Sequence, residues 1–220
     1  MKLPNLPLTV AAITLIFTSC TGHKIQSNVP ATAPVHQTET REKISSLSVG
    51  NDLIPRTYRD GANQITFIDL TQPLPKDGTI TSWSFYAQKY ANGVTSTDPR
   101  TIRLLIFRNV DGGYKVIGQS PYFTVTSDGW DRVHSIKLAD PIEVEHGDLI
   151  GWYYPNQGNS PLNGGVIAFQ EGSPNQTVYR WNQLSGDPNE QPPTMGGVIN
   201  PGQFAGFGEG RKYSIQVNEE

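Results

Sequence analysis

Glycine and proline punctuate this chain too densely for long helices: 22 glycines and 17 prolines fall in 220 residues. Proline removes a backbone donor, and glycine carries the largest entropic cost of helical order. No window shows a helical repeat of useful length. Short segments instead alternate between turn residues, as half-buried strands do. They span residues 65–70, 79–87, 101–109, 114–120, 122–126, 131–138, 148–154, 165–169, 177–181 and 211–217. In 79–87, Trp83, Phe85 and Ala87 share one face, and Ser82, Ser84 and Tyr86 the other. Asp111-Gly112-Gly113 is a hairpin signal between two of these segments. Nine to ten strands without intervening helices predict an all-β fold, an antiparallel, jelly-roll-like β-sandwich. Residues 182–210, rich in Gly, Pro, Asn and Gln, lack any such pattern and read as a long loop.

The stretch Gly147-Asp148-Leu149-Ile150-Gly151-Trp152-Tyr153-Tyr154 raises a choice between ligand platform and interior. Alternation puts Ile150, Trp152 and Tyr154 on one face and Leu149, Gly151 and Tyr153 on the other. Both faces are apolar, which predicts a strand in the middle of a layer, with Trp152 in the core. Residues 101–109 read the same way, with Ile102, Leu104 and Ile106 opposite Leu105 and Phe107. Tyr154, at the strand exit, is the ring of the three most free to meet a ligand.

The chain opens MKLPNLPLTVAAITLIFTSC, with a lone positive charge at Lys2. The apolar run 8–17 is too short to span a bilayer. Cys20, the only cysteine, closes this run after Ser19. The segment resembles a bacterial lipoprotein signal peptide, although Phe17 stands where that family prefers an aliphatic residue. The resemblance implies cleavage before Cys20 and attachment to the membrane through lipid on Cys20. Thr21 in the next position implies sorting to the outer membrane in a host that has one. Residues 1–19 are therefore expected to be signal peptide, 20–49 the lipidated cysteine and a disordered tether, and 50–220 the sandwich. The tether is poor in large apolar residues and rich in Ser, Thr, Pro and Gln, so it cannot bury enough surface to order itself. Its His23 and His36 have no neighbouring ligands and read as solvated.

With Cys20 lipidated, no thiol remains for disulfides, metals or nucleophilic chemistry. A net charge of −3 provides no basic footprint for nucleic acid. G-x-S-x-G, H-E-x-x-H and P-loop motifs are absent. The glycine-rich run 202–210 leads into a strand, not into the helix that phosphate cradling relies on. His134 shares a face with Ile136 and Leu138, which predicts a hydrogen-bonded core or rim histidine rather than a general base. His146 sits in a turn, and a zinc site joining the two with a carboxylate is undetectable in sequence. Glu143 and Glu145, two residues apart on one strand face, read as a solvated face rather than a glycosidase pair. No cofactor is implied. A structural calcium would find loop candidates in Asp52, Asp60, Asn63, Asp111 and Asp128, though no EF-hand-like spacing organises them.

Glycan recognition uses aromatic rings with amides and carboxylates beside them. Trp130 in a turn between Asp128 and Asp131, Tyr154 followed by Asn156, and Trp181 followed by Asn182 are the candidate ligand-binding residues. The run of segments over about residues 60–217 resembles extracellular jelly-roll carbohydrate-binding and adhesion modules. That resemblance is one of architecture, and it implies recognition without naming a ligand. The expectation is a lipid-anchored, non-catalytic module in the bacterial cell envelope, its domain extracytoplasmic, that binds a surface ligand, a glycan ahead of a surface protein. The alternatives are an assembly lipoprotein pairing through a sheet edge or the 182–210 loop and, third, a carbohydrate-active enzyme.

Overall fold

A computed structural model describes residues 46–60, 63–91, 94–95, 97–156, 165–174, 176–181, 192–206 and 209–220. The signal segment, Cys20 and most of the tether lie outside them. The fold is an all-β, antiparallel sandwich, and every segment predicted as a strand contributes one. Further short strands sit at edges and straps.

One layer has four strands. It orders β1 (Leu47–Gly50), β17 (Ile215–Glu219), β4 (Gly78–Ala87) and β10 (Arg132–Val144). β1 begins inside the segment read as tether and pairs Leu47 with Glu219. The opposing layer is larger. Its path runs from β14 (Val198–Ile199) through β8 (Gly113–Gln119), β7 (Arg100–Val110) and β11 (Leu149–Tyr154). It continues through β3 (Ile65–Asp69) and β13 (Thr177–Trp181) to β15 (Ala205–Gly206), and β9 (Phe123–Val125) pairs with β7. A third sheet of β16 (Arg211–Tyr213), β12 (Ala168–Glu171) and β2 (Tyr58–Arg59) accompanies them, as does the small pair β5 (Tyr90–Ala91) and β6 (Val94–Thr95).

Trp152 belongs to the interior. β11 lies between β7 and β3, and all six of its residues are buried. Ile150, Trp152 and Tyr154 join the main core with Trp83, Phe85, Ile102, Leu104 and Ile106. Leu149 and Tyr153 face the other way, into a second core with Ile68, Leu105, Phe107 and Val116.

The second core exists because the large sheet curls. Five residues, Asn200 to Phe204, join β14 on one edge to β15 on the other, and three of them form a 3-10 turn. Six residue steps reach about 20 Å at most. The outer strands of a flat seven-stranded path would stand about 29 Å apart. The edges must therefore approach each other, and the strap covers the inner face. Phe204 meets Tyr114 edge-on at 5.6 Å, and Ile199 is buried in the second core. Part of the loop without pattern is thus a structural closure.

Candidate functional site

The residues nominated from sequence fall into three groups. Trp130 and Tyr154 are inside rather than on the surface. Tyr154 is fully buried because the inward alternation of Ile150 and Trp152 continues through it. Its hydroxyl accepts from the Ile167 backbone N–H at 3.3 Å, and burial pushes its phenol above the usual range. Trp130 is only 7% exposed, because the Arg59 guanidinium covers its ring at 4.7 Å. Neither ring offers a free face.

Asp128, Asp131 and Asn156 are exposed and engaged locally. Asp128 accepts from the Thr126 hydroxyl at 2.6 Å, which holds its carboxyl below the ordinary range. Asp131 takes the left-handed conformation with φ 56° and accepts from the Lys89 N–H at 2.8 Å. Asn156 accepts from the Asn63 amide at 3.3 Å. Trp181 closes β13 in register with Ile65, which is itself in register with Tyr154. The side chain of Trp181, all of Asn182 and Cys20 lie outside the described residues. The backbones of Tyr154 and Trp181 thus share one end of the large sheet.

The remaining candidates are committed to packing or pairing. His134 Nε2 donates to the Gly129 carbonyl at 2.6 Å, and its ring stacks on Phe85 at 5.3 Å. Glu143 accepts from Thr79, and Glu145 pairs with Arg108. Of the calcium candidates, Asp60 is buried against Arg211; Asp52 and Asp111 are exposed. Among the described residues no three His, Cys, Asp or Glu side chains gather as a metal site would need.

A concave surface appears elsewhere, where three strands of the small sheet lose register at one level. β17 pairs Asn218 with Ser82 and Glu219 with Ile80, skipping Thr81. On its other side β4 pairs Ser82 with Lys137 and Ile80 with Ile142, so four residues of β10, from Leu138 to Pro141, face the same Thr81. Pro141 cannot donate to a ladder, and β10 is an edge strand, where such an excursion is tolerated. A bulge shared by two ladders splays the sheet. The result is a groove of about 420 Å³ lined by Thr81, Ser82, Ser135, Lys137, Leu138, Pro141 and Glu220.

Its hydroxyls are held in place. The Asn218 amide donates to the Ser82 hydroxyl at 2.8 Å, and Ser84 donates to Ser135 at 2.9 Å. Thr81 donates to the Glu220 carboxylate at 3.4 Å. Chemically the groove offers fixed donors and acceptors, one ammonium and one carboxylate, over the apolar carbons of Leu138 and Pro141. Sequence reasoning missed it, because the predicted strand stops at residue 138, short of Asp140-Pro141, whereas β10 runs on to Val144.

No family model matches this chain, and no curated protein or solved structure matches it.

Proposed function

We propose that this chain is a lipid-anchored, extracytoplasmic recognition module that binds a surface glycan in the groove at Thr81, without catalysis. The observation that carries the reading is the groove's composition at small-ligand size. Preformed hydroxyls, a cation and a carboxylate beside an apolar strip suit a sugar's alternating O–H and C–H faces. Assembly through the β10 edge has less support. That edge carries Arg132 and Lys137 and is broken at Pro141, features that oppose strand addition.

Glycan-array screening of the purified protein, with and without calcium, tests the ligand class. Lys137→Ala and Ser82→Ala are each expected to weaken the bound glycan about tenfold, the worth of one or two hydrogen bonds. A blank array, or binding indifferent to both substitutions, sinks the groove.

The anchor rests on the Cys20 segment and is tested separately. Labelled palmitate is expected to enter the protein in a bacterial host and to be absent from Cys20→Ser, which leaves the membrane fraction. Equal labelling of both forms refutes lipidation at Cys20.

A further inference from the structure

Arg59 is fully buried, yet none of its three side-chain nitrogens has a hydrogen-bond partner among the described residues. A buried, unpartnered guanidinium is among the most costly arrangements in a protein interior. Its stacking on Trp130 at 4.7 Å uses the face of the cation. The five N–H donors lie in the guanidinium plane, so the stack satisfies none of them. Trp130 Nε1, a donor only, is likewise buried and unpartnered.

A second cation stands close. Burial and then the charge of Arg100 pull Arg59 down to about 10. Arg100 is itself 7% exposed, with its Nε unpartnered and its outer nitrogens bound to the Pro99 carbonyl and to Asp98. Asp131, the nearer carboxylate by sequence to Trp130, is exposed and already accepts from Lys89. One end of the sandwich therefore holds unsatisfied donors on two arginines and an indole.

We infer that Arg59, with Arg100 and Trp130, forms a binding site for the carboxylate of a small organic acid or acidic sugar. A carboxylate is planar and accepts two parallel N–H bonds, the match for a guanidinium fork. Its single charge matches that of Arg59, because Arg100 is already paired with Asp98 at 3.2 Å. A phosphate dianion would meet repulsion from Asp98 and Asp131, both of which act on Arg59. This site is separate from the groove. Arg132 and Lys137 lie five residues apart on β10, about 17 Å, with Arg132 at the Trp130 end. Neither reading depends on the other.

Calorimetric titration of the full chain with sodium D-glucuronate, acetate, D-glucose and inorganic phosphate tests the site. Glucuronate or acetate is expected to bind and glucose not. Arg59→Met and Arg100→Gln are each expected to weaken binding at least tenfold, and Trp130→Phe, which keeps the stack but removes the indole donor, by several-fold. Far-UV circular dichroism reports whether each variant is folded; should Arg59→Met fail, Arg100→Gln and Trp130→Phe carry the test. The inference is overturned by no carboxylate binding to the unaltered protein, by phosphate binding more tightly, or by carboxylate affinity unchanged in the folded variants.

Discussion

Trp152→Ala is expected to lower the free energy of unfolding by about 3–5 kcal/mol, the range for deleting a large aromatic side chain from a sealed core. Trp152 is fully buried. It lies parallel to Phe67 at 5.0 Å and tilted against Tyr213 at 4.7 Å. The cavity left behind could not collapse, because β11 is hydrogen-bonded to β7 and β3 on both sides. Its neighbour shows how closely the layers meet: a Cβ at Gly151 would come within 2.5 Å of both the Phe67 carbonyl and the Phe107 ring. Met195, 53% exposed, is the contrasting position, where alanine is expected to change stability by under about 0.5 kcal/mol. Urea unfolding at constant slope gives both values as midpoint shifts. A Trp152→Ala loss below about 1 kcal/mol would mean that the ring is not enclosed.

That core is legible in the sequence, and the reason is physical. Side chains alternate with period two in any strand, so Ile102, Leu104 and Ile106 must leave β7 opposite to Leu105 and Phe107. An apolar residue at every position then admits no solvent-facing side. The same rule fixed Trp83, Phe85 and Ala87 as inward. What alternation cannot convey is how distant segments meet. Trp130 follows Ser-Asp-Gly and precedes Asp131, a context that reads as an exposed turn. It is enclosed because Arg59, far away in sequence, lies across it. Asp60 in turn reads as a loop carboxylate open to calcium, and its burial, like that of Arg59, comes from β2, β12 and β16 pairing around them. The strap at 198–206 escaped notice for another reason. Two-residue strands joined by a 3-10 turn carry no period at all. The groove required three strands to slip at one residue, and only Pro141 left a trace of it in the sequence.

Acidification is expected to stabilise this fold, opposite to the usual behaviour of carboxylates held in ion pairs. Asp60 decides the sign. It is 4% exposed, and burial pushes its carboxyl up from 3.8 to about 6, with Arg211 pulling only partly the other way. Between those two values the native protein holds a proton that the unfolded chain has released. Stability therefore rises as pH falls through about 6, and the gain is complete below 3.8. The interval corresponds to roughly 3 kcal/mol, of which about two-thirds is present by pH 4.5. Asp69 and Glu219 are also raised by burial and add in the same direction. Asp128 works in the opposite sense but is fully exposed, so solvent screens its contribution. Urea midpoints at pH 7.5, 6.0 and 4.5 are expected to increase in that order. Asp60→Asn, which keeps the shape and loses the titration, is expected to flatten most of the rise. A midpoint that falls on acidification, or one that rises equally in Asp60→Asn, would remove Asp60 as its source. The arrangement also explains why the ion pair with Arg211 is no strong anchor at neutral pH. Its 3.0 Å contact offsets only part of the cost of keeping a charged carboxylate beside the buried rings of Tyr154 and Tyr213.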